Sequence, residues 1–140
     1  MERLTMAAHF RGEAAQPSGE PPQTQPRAES VALEAISADG SPVDLDRAFY
    51  ANDVTFTSES TFVETGTISF GDGELDIETV GEGTLAPSAS AELLQGAVIW
   101  RVTGGRGRFE GASGLITSNF LLRPGTGEVE DHENAVVFLP

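Results

Sequence analysis

The sequence predicts an all-β protein, a small antiparallel closed barrel of about eight strands. Apolar and polar residues alternate in short runs from Ser30 onward, the pattern of half-buried strands. Clusters of Gly, Pro, Asn and Asp punctuate those runs at hairpin spacing. No stretch of useful length keeps the 3.6-residue period of a helix. At 140 residues the chain fits one domain with one core (residues 1–140), large enough to fold without disulfides or a structural metal.

In chain order, Met6, Ala8 and Phe10 have strand spacing and predict a first strand that joins the sheet. Residues from about 14 to 30, rich in Pro, Gln, Glu and Ser, offer little to bury and read as a flexible loop. Val31, Leu33 and Ala35 begin the next strand, and Asp39-Gly40-Ser41-Pro42 ends it in a turn. Asp44 to Ala51 is compatible with one or two helical turns. Val54 and Phe56 lead into Phe62, Glu64, Gly66, Ile68 and Phe70, whose intervening residues are mostly hydroxylated. Gly71-Asp72-Gly73 then turns the chain into Leu75, Ile77 and Thr79, alternating with Glu74, Asp76 and Glu78: a hairpin with an acidic outer face. Leu94–Thr103 places Val98, Trp100 and Val102 on one face. Leu115–Leu122 and Val129–Leu139 complete the series, and seven or eight strands with turns between them suit a barrel or a sandwich.

Charge and composition narrow the function classes. With 22 acids against 8 bases, the net charge of −14 repels phosphate backbones and anionic lipid, so neither nucleic acid nor membrane is an expected partner. There is no cysteine, which removes thiol nucleophiles, iron–sulfur ligation and cysteine-based zinc sites. The apolar runs are far shorter than a membrane span. The first ten residues lack the apolar block of an export signal, and a cytoplasmic location is expected.

Most candidate motifs fail on spacing or setting. Gly105, Gly107 and Gly111 do not fit a dinucleotide fingerprint and lie between two strands, where a phosphate site needs a helix. They read as a tight connection, with Phe109 plugging one end of the core. Asp72, Glu74, Asp76 and Glu78 lack the glycine and terminal glutamate of a calcium loop. His9 and His132 are too few for a metal centre, and no metal or other cofactor is expected. Ser113 is one residue out of phase with a nucleophile elbow.

Glu64 differs from all of these. Its neighbours at two-residue spacing are Phe62, Gly66, Ile68 and Phe70, so the pleat points its carboxylate to the apolar side. Burial raises the pKa of such a group and fits it for general acid or base work, while pairing with an interior hydroxyl or Arg is the structural alternative. Asn134 shares a face with Val136 and Phe138, and His132 continues that face outward; Asn119 shares one with Leu115 and Leu121. These polar groups are candidates to orient a ligand inside a barrel. Trp100, the sole tryptophan, supplies a large flat wall. The expected site therefore has Glu64 and Asn134 as catalytic groups, with Phe62, Phe70, Trp100, Asn119, His132 and Phe138 around the ligand.

The segment Gly96–Gly114, and within it Gly105-Arg106-Gly107-Arg108-Phe109-Glu110-Gly111-Ala112-Ser113-Gly114, resembles the strand, G-x-G-x-F/Y-x-G-A-x-G, strand region of allene oxide cyclase-like barrels. That group is similar in architecture to dirigent proteins and bacterial spirotetronate cyclases. The resemblance implies a calycin-like, eight-stranded barrel whose lumen takes an apolar substrate, and it transfers no catalytic residue, because the matched glycines and Phe109 are structural. The function expected is a cofactor-independent cyclase or isomerase of natural-product biosynthesis, acting on an apolar flexible substrate. The alternatives are a barrel that binds a hydrophobic small molecule without transforming it and an oligomeric structural barrel, with a homodimer as the expected assembly.

Overall fold

The computed structural model describes residues 1–15, 27–39 and 48–140. They form nine strands: β1 (Glu2–Ala14), β2 (Arg27–Asp39), β3 (Phe49–Phe56), β4 (Thr61–Phe70), β5 (Gly73–Thr79), β6 (Gly83–Pro87), β7 (Leu94–Gly107), β8 (Ser113–Arg123) and β9 (Glu128–Leu139). All pairings are antiparallel. The order runs β3-β2-β1-β9-β8-β7-β5-β4, and pairing of β3 with β4 closes the ring. The short β6 pairs with both β7 and β4, so β5 and β6 share one position. The result is a closed eight-stranded antiparallel barrel, as the family resemblance implies and in place of the sandwich that the strand pattern also allows, and closure leaves no free sheet edge among the described residues.

Alternation sets the inside. Along β4, Phe62, Glu64 and Ile68 are buried; along β7, Val98, Trp100 and Val102 are buried between exposed neighbours. The acidic residues of β5 face outward as predicted: Glu74 and Asp76 both pair with Arg106 of β7, and Glu78 pairs with Arg101. β1 also joins the wall, turning Leu4, Met6 and Phe10 inward. Register shifts at His9/Phe10 and Asp76/Ile77 add the local bend that a small barrel needs.

One end of the barrel is sealed. The β4–β5 turn and the β7–β8 connection meet there, with Leu4, Ile68, Leu75, Val137 and Leu139 inside. Phe109, fully buried, packs its ring 5.0 Å from that of Phe70. The glycines around Phe109 allow close approach. A Cβ on Gly105 would lie 2.5 Å from the Phe109 carbonyl oxygen and 2.6 Å from that of Glu74, and Gly107 adopts φ 63°, where a side chain is strained.

Two sequence expectations need correction here. β2 begins at Arg27, within the loop expected from about 14 to 30, because rim residues extend a strand even when polar: the Arg27 guanidinium lies 4.8 Å over the Phe56 ring of the neighbouring strand. Residues 16–26 of that loop lie outside the described residues. Of the helical turns considered for 44–51, residues 44–47 also lie outside them, while Phe49–Ala51 belong to β3, where the core takes Tyr50 and the pairing with β4 takes the backbone. Among the described residues no helix is long and apolar enough to cross a membrane.

Removing the plug tests its weight. Phe109→Ala is expected to cost about 3–5 kcal/mol in urea unfolding. Arg106→Ala, which removes only exposed ion pairs, is expected to leave the midpoint nearly unchanged. Equal effects from the two would contradict this assignment.

Candidate functional site

Midway along the lumen the inner wall becomes polar. Tyr50 and Asn52 of β3, Glu64 of β4, Ser118 of β8, and Asp131 and Glu133 of β9 all point inward and are buried. The closed ring brings them together from distant parts of the chain. The Tyr50 hydroxyl donates to Asp131 Oδ2 at 2.9 Å, and the Ser118 hydroxyl donates to Asp131 Oδ1 at 2.6 Å. Asn52 Nδ2 donates to Glu64 Oε2 at 2.7 Å. Below Glu64 the backbone is held as well, its N–H donating to the Thr79 hydroxyl at 2.6 Å. The rings of Phe10, Tyr50 and Trp100 meet edge to face, at 5.1 and 5.6 Å between successive centroids, and fix the tyrosine in place.

Burial dominates the electrostatics. Glu64 is pushed up to about 7, first by desolvation, with the Asn52 hydrogen bond opposing the shift. The Trp100 indole N–H lies near enough to favour the Glu64 carboxylate slightly but makes no hydrogen bond of proper geometry. Glu133 is raised well above the ordinary carboxylate range by burial and by its neighbour Asp131. Burial also raises Asp131, against the bonds from Glu133, Ser118 and Tyr50. Two adjacent carboxyls in an apolar interior cannot both ionise cheaply, so the pair keeps a proton between them. Burial and the neighbouring Asp131 raise Tyr50 in turn, and it stays a neutral donor.

Above this belt a cavity of about 40 Å³ opens toward the end of the barrel opposite Phe109. Its walls include Val31, Tyr50, Val54, Phe56, Phe62, Glu64, Trp100, Ser118, Phe120 and Leu122, with Glu29 at the rim. Burial raises the Glu29 carboxyl too. By volume the cavity holds roughly three water-sized groups, so a larger guest requires the aromatic side chains at the mouth to move. Phe62 packs 5.9 Å from both Phe56 and Phe120.

Of the residues singled out from the sequence, Glu64, Phe62 and Trp100 line this cavity. Phe70 lies at the sealed end beside Phe109. Asn119, His132 and Asn134 are corrected: all three face outward and are exposed, and half-buried Phe138 shares the outer face of β9. The inner face of β9 is Val129, Asp131, Glu133, Ala135, Val137 and Leu139. Apolar residues occupy both faces of β8 and β9, and the two inward acids made the true inner face of β9 look like the solvated one. His132 instead stacks on His9 outside, 4.2 Å between ring centroids; burial and the His132 ring hold His9 below its ordinary pKa. Among the described residues no group of three or more His, Asp or Glu is placed to hold a metal ion.

Solved structures place this architecture. One that the chain resembles is a pterocarpan synthase dirigent protein, with a TM-score of 0.58 at 16% identity over 99% of this chain and 87% of that one. The fold is a dirigent-like barrel. No family model matches the sequence, and no curated protein matches it.

The raised carboxyl makes stability fall with pH. Glu64 binds its proton more tightly when folded, so its contribution is complete below pH 4.5 and is lost as pH rises through about 7. The change amounts to about 3 kcal/mol. Urea unfolding of the wild type is expected to show stability dropping between pH 5 and 8. Glu64→Gln is expected to flatten that drop and to be the more stable protein at pH 8. A variant that follows the wild-type profile would contradict the buried, proton-holding carboxyl.

Proposed function

We propose that the barrel binds an apolar, flexible small molecule at its open end and steers its cyclisation or isomerisation without a cofactor, with Glu64 as the acid–base group. The observation that carries the reading is Glu64 itself: a carboxyl near neutrality on the wall of an apolar cavity. Such a group can deliver a proton in its acid form and remove one as carboxylate at the same pH. Asn52 fixes its orientation, while Phe62, Trp100 and Phe120 shape the space in which a guest folds, the positioning that makes ring closure fast. The likeness to a dirigent protein supports the architecture of this reading and leaves the chemistry to the site. Asn134, on the outer surface, has no part in it; the polar residues around Glu64 are Asn52, Tyr50 and Ser118.

Turnover tests the proposal. A panel of linear, apolar substrates carrying an alkene acceptor and a hydroxyl is incubated with the protein, and cyclised products are separated by chiral chromatography. One enantiomer is expected in excess, and Glu64→Gln is expected to lower its rate by about 100-fold or more with a smaller change in KM. Undiminished turnover by the variant would remove Glu64 from the chemistry. Guests that quench Trp100 fluorescence without reacting would favour the binding barrel.

A further inference from the structure

The lumen holds Glu64, Asp131 and Glu133, and none of the arginines among the described residues reaches them. Arg11, Arg101, Arg106, Arg108 and Arg123 form ion pairs with acids on the outer surface, Arg27 stacks on Phe56 at the rim, and Arg3 is exposed on β1. Buried carboxyls are ordinarily matched by a cation or a full set of donors. Here the match is incomplete: Asn52 Oδ1 and Glu133 Oε2, in side chains 3% and 4% exposed, and the Trp100 indole N–H have no hydrogen-bond partner among the described residues. Two of these three lumen atoms are oxygens, and the third, the Trp100 N–H, lies beside the Glu64 carboxyl. Above the two oxygens stand Trp100, Tyr50 and Phe62, aromatic side chains whose ring faces attract cations.

We infer that the guest of this lumen is an aliphatic amine carrying an apolar group, bound as its ammonium ion with the charged nitrogen at Glu64 and the apolar part among the aromatic side chains of the mouth. The inference rests on the reading of the lumen as a ligand site and narrows it: the guest carries a charge at one end, and Glu64, held as carboxylate by that charge, is left the base role and not the acid role. An ammonium group donates hydrogen bonds and accepts none, which suits the Glu64 carboxyl on the cavity wall, where no arginine among the described residues reaches it. The cavity of about 40 Å³ has room for such a head but for little more. A carboxylate or phosphate in the same place would meet Glu64 with Glu29 at the rim on β2 and the Asp131–Glu133 pair behind it on β9, with the neutral Tyr50 hydroxyl of β3 already donating to Asp131, and each of these carboxyls that ionises would repel it. The three inner carboxyls are not arranged to hold one metal ion, which favours an organic cation. Docking the cation ionises Glu64, so binding near neutral pH releases a proton.

The test compares molecules of one shape and different charge: 3-phenylpropylamine, 3-phenylpropan-1-ol and 3-phenylpropanoate. n-Propylamine, which has the charge without the ring, controls for attraction to the acidic surface. Binding is read from Trp100 fluorescence, and proton release from calorimetry in two buffers of different ionisation heat. The amine is expected to bind about tenfold more tightly than the alcohol, to release protons at pH 7 and to lose its advantage in Glu64→Gln; the carboxylate and n-propylamine are expected to give no response. Binding of the alcohol as tightly as the amine would overturn the inference and leave the lumen a ligand site. An equal response to n-propylamine would reduce the effect to surface attraction and overturn it as well. Silence from all the phenyl compounds would overturn both this inference and the ligand-site reading. The wild-type comparison needs no variant to fold.

Discussion

A carboxyl group inside an apolar barrel must be protonated, hydrogen-bonded or matched by a cation, and this barrel turns three of them inward. The constraint explains the arrangement around them. Tyr50 and Ser118 come from strands on different sides of the ring to hold Asp131, and Asn52 reaches from β3 to hold Glu64 on β4. Glu133, beside Asp131, holds its proton more tightly than an ordinary carboxyl because it is buried. Closure of the sheet is what brings these groups together: Glu64 and Asp131 are 67 residues apart in sequence and share one lumen because β3 pairs back onto β4.

The two ends of the lumen divide the remaining labour. Phe109 and the aliphatic residues around it seal one end with well-packed apolar volume, and the glycine-rich stretch permits the close backbone approaches that seat that ring. Its role is architectural. At the other end the packing is aromatic and less complete, with space left above the polar belt. Core residues near Phe109 can supply stability, while carboxyls that cost stability when ionised sit next to the cavity, a distribution found where a fold supports a site.

Strand alternation made the fold legible. The hairpin of β4 and β5 follows from Gly71-Asp72-Gly73 and from acids alternating with Leu75 and Ile77, and the inward turn of Glu64 follows from its aromatic and aliphatic neighbours on one face. The same rule failed on β8 and β9, where Leu115, Leu121, Val136 and Phe138 give the outer faces an apolar look. Only the pairing of β8 with β9, in which Ser118 lies opposite Glu133 and Phe120 opposite Asp131, identifies the inner face. The belt was missed for that reason: an acid at every second position reads as solvated until its partners, Tyr50 and Ser118, are brought near by the fold. β6 was missed because its five residues continue the position of β5 and carry little pattern of their own.

The most direct measurement is the titration of the individual carboxyl carbons by NMR in protein labelled with carbon-13 at Asp and Glu side chains. The account predicts Glu64 changing charge near pH 7 and Glu133 still protonated where ordinary surface carboxylates have already ionised. If Glu64 and Glu133 titrate together with those surface groups, the inner wall is not the proton-holding site described, and the lumen loses both its acid–base group and its preference for a cation.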